Sequence, residues 1–240
     1  MPLYDEMADF YDLVYPDRGD RDFYLKEARK ARGRILEVAC GTGRILIPLL
    51  KAGFDACGLD ISPEMLERLR KKALQEGIVP RLFLGDMRDF SLDGKFGLII
   101  VPFRSFHHLN NASERLEALR NFRRHLDSGG RLILHLTVPP ARERALTKKF
   151  HRAGSEKISG GKVGWEVRFD DGNDSADYRI TLATDSGKTR SFSMTLHFFP
   201  IAEIASSLKS IGFKNVNVYC GFGYSPFNEG CEEAVVVADS

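Results

Sequence analysis

The sequence predicts an α/β protein: a doubly wound, mostly parallel sheet of seven strands, with an antiparallel β meander inserted after the fifth. Three observations predict it. Strand-like and helix-like stretches alternate from residue 34 to 138, which argues a parallel sheet covered on both faces. Residues 35–45, ILEVACGTGRI, run from an apolar stretch carrying one acid into a small-residue loop that opens a helix. Between residues 163 and 198 the apolar period drops to two, the period of a strand with one buried face.

The elements follow in order. Residues 34–39 read as strand one, 44–51 as a helix ended by Gly53, and 54–59 as strand two. In DISPEMLERLRKKALQEG, Ser62 fits the N-cap, Pro63 the first helical position and Gly77 the C′ position. Met65, Leu66, Leu69 and Ala73 share one face, while Glu64–Arg68 and Glu67–Lys71 are spaced to pair on the other. Residues 81–84 and 96–101 read as strands three and four. A helix over 112–126 aligns Leu116, Leu119, Phe122 and Leu126, with Asn111 and Glu114 spaced as a capping box. The turn 127–130, DSGG, leads into strand five at 131–138.

The meander has three alternating runs: Val163, Trp165, Val167 and Phe169; Tyr178, Ile180 and Leu182; Phe192, Met194, Leu196 and Phe198. DGND at 171–174 and DSG at 185–187 supply the turns. Helical spacing returns after Pro200 with Ile201, Ile204, Ala205, Leu208 and Ile211, and Gly212 stops it. Strands at 213–219 and 234–238 finish the sheet. The implied organisation is a helical segment over 1–31, a core over 32–140 and 200–240, and the insertion over 141–199.

Composition sets bounds on function. The 240 residues are 43% hydrophobic, with 35 Lys and Arg against 33 Asp and Glu. A net charge of +2 gives no pull toward nucleic acid or an acidic membrane. The basic run at 68–72 is interleaved with leucine and reads as a solvated helix face. No apolar stretch nears 18 residues, and the first residues carry acids where a signal peptide carries bases, so the cytoplasm is expected. Cys40, Cys57, Cys220 and Cys231 lack C-x-x-C spacing, so neither a metal site nor a disulfide framework is expected.

The loop after strand one decides the ligand. A dinucleotide fingerprint needs a third glycine where Leu46 stands, and a phosphate loop needs a lysine that is absent. Glu37, Ala39, Gly41 and Gly43 read instead as E-x-A-x-G-x-G. With Asp60 ending strand two in GLDIS, Asp86 following strand three in LGDMRDF, and LDSGGRLIL before strand five, the chain resembles the class I S-adenosylmethionine-dependent methyltransferases of the small-molecule type. The resemblance covers 32–137 closely and 200–238 in outline, and implies a Rossmann-like core.

It also implies roles. Glu37 would help anchor the cofactor's ammonium, and Ala39, Cys40, Gly41 and Gly43 would pass close to its ribose and methionine portions. Asp60, with Ile61 beside it, would accept the ribose hydroxyls. Asp86 and Met87 would border the adenine, and Val101 and Phe103 complete the cofactor set. Among the N-terminal aromatics Tyr4, Phe10, Tyr11 and Tyr15, the pair Tyr11 and Tyr15 would contact the methionine end or the substrate, or else pack on the core.

The segment after strand four, VPFRSFHHL, is where this family places substrate. It lacks the N/D/S-P-P-aromatic pattern of nucleobase and amide methyltransferases, which points to a small-molecule methyl acceptor. His107 and His108 are the base candidates, with loop packing as the alternative. Arg104 would bind an anionic substrate group or a neighbouring carboxylate. His125, His135, His151 and His197 read as structural. The insertion leaves the ligand edge of the sheet, so Trp165 and Phe198 are expected in the substrate pocket or at a dimer interface; monomer and homodimer both stay open. Besides methyl transfer to nitrogen or oxygen, two readings remain: a cofactor-binding protein without transferase activity, and a nicotinamide-dependent oxidoreductase, which Leu46 disfavours.

Overall fold

The computed structural model describes residues 2–15, 19–139, 150–158, 160–170, 172 and 174–240. A seven-stranded sheet forms the centre. Its strands are β1 (Ile35–Val38), β2 (Ala56–Asp60), β3 (Arg81–Leu84), β4 (Phe96–Val101), β5 (Leu126–Thr137), β10 (Lys214–Cys220) and β11 (Glu233–Asp239). Their spatial order is β10-β11-β5-β4-β1-β2-β3. Pairings among β1 to β5 are parallel, and β11 runs antiparallel to both β5 and β10. The chain steps outward from β1 to β3 and then returns to place β4 on β1's other side. The loops leaving β1 and β4 therefore diverge and open a crevice at their carboxyl ends.

Both faces are covered because alternate residues of each strand point opposite ways. Leu36, Val38, Ile99, Val101, Leu132 and Leu134 join one core with α6 (Ala112–His125) and α7 (Ile201–Ser210). Ile35, Leu98, Ile100 and Ile133 join the other, with α3 (Arg21–Lys30), α4 (Leu46–Lys51) and α5 (Pro63–Gln75). The caps form largely as the sequence implies. Ser62 Oγ accepts the Met65 N–H at 3.1 Å, and Asn111 Oδ1 accepts the Glu114 N–H at 3.0 Å. The return half of the capping box slips by one, since Glu114 accepts the N–H of Asn110 rather than of Asn111.

The insertion is a separate antiparallel sheet of four strands, not three: β6 (His151–Ile158), β7 (Gly161–Asp170), β8 (Ser175–Thr184) and β9 (Thr189–His197). β6, HRAGSEKI, has no apolar alternation and is an edge strand, bonded only to β7. Part of the expected insertion, 140–149, lies outside the described residues. Two short helices, α1 (Pro2–Met7) and α2 (Tyr11–Val14), are wedged between this sheet and the core. Met7, Val14 and Tyr15 pack with Val163, Ile180 and Phe192.

The cysteine expectation needs correction. Cys220, at the end of β10, is disulfide-bonded to Cys231, with their Cα atoms 5.5 Å apart. The left-handed residues Gly221 and Tyr224 fold the connecting loop back on itself, a closure that residue spacing alone does not announce. No helix among the described residues is long and apolar enough to cross a membrane.

Gly97 marks the tightest packing. A Cβ there would lie 1.6 Å from the Arg32 carbonyl oxygen, so two backbones meet with no room between them. Gly97→Ala should cost about 1–3 kcal/mol or more, the scale of overpacking. Urea unfolding followed by circular dichroism measures it.

Candidate functional site

A cavity of about 410 Å³ opens at the carboxyl ends of β1, β2 and β3 and the loop after β4, within the size range of small-molecule sites. Its first wall is the loop after β1. Ala39 and Gly41 take left-handed conformations, φ 56° and 51°, which turn the chain sharply and bare its backbone. Both line the cavity. Gly43 does not; a Cβ there would sit 2.7 Å from Leu69 Cγ, so this glycine lets α5 close on the loop. Cys40 points away as well, its sulfur 2.6 Å from where a Cβ of Gly58 would be.

Asp60 is the hinge of the site. Its Oδ2 accepts the Gly41 N–H at 2.7 Å and its Oδ1 accepts the Ser62 N–H at 2.9 Å. One carboxylate thus ties the glycine loop to the start of α5. Burial raises its pKa, and these backbone bonds work against that rise. Each oxygen has a further lone pair, and the side chain lines the cavity beside Ile61.

Glu37 lies beneath the loop, buried, with Oε2 unpartnered. Burial pushes its carboxyl well above the ordinary range; Asp20 and Asp60 add to this and Arg44 opposes it. Arg44 grips Asp20 through both terminal nitrogens, and its guanidinium lies 5.2 Å from the Phe103 ring centroid. The GTGR stretch contained Arg44, but its partner Asp20 lies 24 residues away and no local pattern joins them.

At the far wall, Asp86 and Met87 line the cavity, but Asp86 is already engaged. Arg88 donates to it from Nε (3.1 Å to each oxygen), Nη2 (2.6 Å) and its backbone N–H (2.9 Å). Burial would raise the Asp86 pKa, yet these bonds bring it below the usual carboxylate value. Arg88 also reaches Glu114 at 3.1 Å. A base amino group at Asp86 would share it with Arg88, a neighbour the sequence reading did not weigh.

The segment after β4 separates the two candidate histidines. Phe103 and Arg104 are both left-handed, φ 52° and 64°, and launch a short 3-10 turn, Ser105–His108. His108 lines the cavity with Phe103 and Ser105. Its Nε2 lies 2.6 Å from the Tyr4 hydroxyl, and burial lowers its pKa to about 4, with Arg104 and His197 adding to the effect. His107 turns inward and is fully buried. Its Nε2 accepts the Thr137 N–H at 2.9 Å, so Nδ1 carries the proton and donates to the His197 carbonyl at 2.8 Å. The ring also stacks on Phe199. With both nitrogens occupied, His107 is a brace between β5 and the end of β9, not a base at the cavity.

Other expected residues also lie away from the cavity; for Trp165 the reason is that the N-terminal helices stand between the cavity and the second sheet. No described residue of β6–β9 lines the cavity. Trp165 packs in the cluster around Met7 and Tyr15, and Phe198 packs against His107 and Phe169. Tyr11 lines the cavity, while Tyr15 sits behind it, 5.0 Å from the rings of Tyr11 and Phe103. Val101 is core, and Arg104 lies outside the lining with its guanidinium 4.9 Å from the Phe103 centroid. The helices are clasped by their acids. Asp5 accepts from Ser62 Oγ and Asp9 from Arg68, while Asp12 takes Thr42 and Lys72.

A bare glycine loop after β1, an acid ending β2 and a cavity at the β1/β4 switch point define a Rossmann-like nucleoside-binding domain. Comparison with known proteins makes this specific. The methyltransferase domain family model matches residues 35–130. The dTDP-3-amino-3,4,6-trideoxy-alpha-D-glucopyranose N,N-dimethyltransferase of Streptomyces venezuelae is 36% identical over 136 residues, 53% of this chain and 55% of that protein. The glycine/sarcosine N-methyltransferase of Halorhodospira halochloris is 36% identical over 134 residues, 54% of this chain and 50% of that protein. The crystal structure of Streptomyces venezuelae DesVI superposes with a TM-score of 0.73 at 26% identity, covering 96% of this chain and 97% of that one. The chain spans about half the length of the curated relatives it matches. Over its core strands the chain is thus similar to class I S-adenosylmethionine-dependent methyltransferases.

The buried His107 gives a pH prediction. Burial lowers its pKa to about 3, against about 6.5 when unfolded. Below pH 6.5 the unfolded chain binds a proton that the folded chain refuses, so stability falls as pH drops toward 3. That loss runs at up to about 1.4 kcal/mol per pH unit. His107→Gln keeps a donor and an acceptor but does not titrate. Its unfolding free energy, measured in urea between pH 7 and 4, should fall less steeply than the wild type's by about that slope.

Proposed function

We propose that this protein is a methyltransferase that uses S-adenosylmethionine to methylate nitrogen or oxygen of a small molecule, nitrogen being the better supported. The observation that carries the reading is Asp60, a buried carboxylate that braces the glycine loop while still facing the cavity. The residues present fit the cofactor. Asp60 has lone pairs for ribose hydroxyls, Gly41 is bare of side chain, Met87 offers an apolar border, and Glu37 holds an unpartnered buried oxygen suited to an ammonium. The bound cofactor supplies a methyl group made electrophilic by a sulfonium.

The chain's own residues do the rest. Tyr4, Tyr11 and Phe103 line the cavity; their rings exclude water and favour a cation over their faces. Transfer then needs a nucleophile held in line, plus somewhere for a proton to go. Of the two candidate histidines, His108 is the one that lines the cavity. The relatives named above act on amino groups, which supports nitrogen as the acceptor. Asp60, Asp86 and Glu114 also give the lining more acid than base, and that suits a positively charged or neutral amine.

Calorimetry with S-adenosylmethionine and S-adenosylhomocysteine tests the reading. Asp60→Ala should weaken binding by about 1–3 kcal/mol, the scale of lost buried hydrogen bonds; equal affinity removes Asp60 from the ribose. Mass spectrometry of amino-sugar nucleotides and of glycine incubated with the wild type then asks for a gain of one or two methyl groups. Cofactor binding without any methylated product across a broad acceptor screen would favour a binding protein without transferase activity.

A further inference from the structure

Tyr4 is the cavity residue whose chemistry is least expected from sequence. It rides on α1, 104 positions from His108, yet its hydroxyl lies 2.6 Å from the His108 ring nitrogen Nε2 and the rings meet edge to face. The hydroxyl has one proton and two neighbours, His108 Nε2 at 2.6 Å and the Met194 sulfur at 3.8 Å. With His108 protonated at Nδ1, Nε2 accepts the Tyr4 hydroxyl proton, the thioether being the weaker and more distant acceptor. Two consequences follow. The acceptor nitrogen of His108 is occupied by Tyr4, so His108 does not take a substrate proton directly. The Tyr4 oxygen, in turn, keeps its lone pairs while lining the cavity.

We propose that Tyr4 and His108 form one proton-accepting pair for the methyl acceptor, with Tyr4 touching the acceptor nitrogen and His108 storing its proton. This rests on the methyl-transfer reading above. An acceptor ammonium gives one proton to the Tyr4 oxygen as the Tyr4 hydroxyl proton passes to Nε2. The N–H electron pair stays on the acceptor nitrogen as the lone pair that attacks. Tyr4 ends neutral, and His108 becomes an imidazolium that releases its proton to solvent.

The surroundings set the resting state of the pair and make the proton's stay on His108 uphill and brief. Burial pushes the Tyr4 phenol up, helped by Tyr11, Tyr15 and Asp60 and opposed by Arg104. Burial, Arg104 and His197 push His108 down. Both groups therefore rest neutral, and the charged state exists only in passing. The pair also depends on closure. Tyr4 reaches His108 only while Asp5, Asp9 and Asp12 hold the N-terminal helices against α5 and the glycine loop. The proton sink is thus assembled by the same segment that covers the cavity.

Sinefungin tests the pair without a known acceptor, because it carries an amine where the cofactor carries its transferable methyl. Calorimetry compares sinefungin with S-adenosylhomocysteine, which has neither group, on the wild type, Tyr4→Phe and His108→Gln. Tyr4→Phe keeps the ring and removes the oxygen. It should weaken sinefungin by roughly tenfold, the scale of one lost buried hydrogen bond, and leave S-adenosylhomocysteine within about twofold. His108→Gln should move the ratio the same way, and Tyr4→Phe carries the test alone if that variant does not fold. A purely structural role for Tyr4 would weaken both ligands alike. An unchanged sinefungin to S-adenosylhomocysteine ratio in Tyr4→Phe overturns the pair. Failure of the wild type to bind either ligand overturns the methyltransferase reading itself.

Discussion

The Asp60 carboxylate, holding Gly41 N–H on one oxygen and Ser62 N–H on the other, is the contact on which the site depends. The loop after β1 has little of its own to fix it. It contains left-handed residues at Ala39, Gly41 and Gly43, and Ala39 pays for that backbone in strain. Asp60 supplies the outside restraint, at the end of the strand next to β1. Ser62 then works twice, as the N-cap of α5 and as donor to Asp5 of α1. Loop, β2, α5 and covering segment are therefore locked through two polar residues, Asp60 and Ser62, two positions apart.

Buried charge is what this arrangement costs. Glu37, Asp20 and Asp60 are all buried near the loop, and among the described residues Arg44 is the cation that faces them. Its forked grip on Asp20 neutralises one carboxylate, and burial keeps the Glu37 carboxyl high in pKa. A positively charged group entering from the cavity would relieve that excess of acid. The unpartnered Oε2 of Glu37 lies within this acid cluster beneath the loop, and Glu37 itself is not among the residues that line the cavity.

Legibility of the sequence tracked the range of the interaction. The helix caps at Ser62 and Asn111 were readable because cap and partner lie three residues apart. Asp60 and the glycine loop stand out in sequence through the methyltransferase motifs they resemble, and adjacent parallel strands bring their carboxyl ends together. Cys220–Cys231 was not, since its closure depends on a loop reversal at Gly221 and Tyr224. The adjacent histidines were indistinguishable in sequence; the 3-10 turn they share sends one ring to the cavity and the other into the core. Trp165 and Phe198 were placed by the correct edge of the sheet but without the layer between. That layer is built by Met7, Tyr11 and Tyr15, which the sequence shows only as an aromatic-rich start.

This intervening layer changes what lines the cavity. The second sheet touches the N-terminal segment through Phe192 against Phe10, Met194 against Tyr4, and Val163, Trp165 and Ile180 around Met7, Val14 and Tyr15, and none of its described residues lines the cavity. It backs the lid and does not form the pocket. A change of the cavity therefore has two routes. Substitution at Tyr4, Tyr11, Phe103, Ser105 or His108 alters the lining directly, while substitution in β9 acts by shifting the helices that carry Tyr4 and Tyr11. The first route changes chemistry at one point, whereas the second moves both tyrosines together, because α1 and α2 are clasped as a unit by Asp5, Asp9 and Asp12.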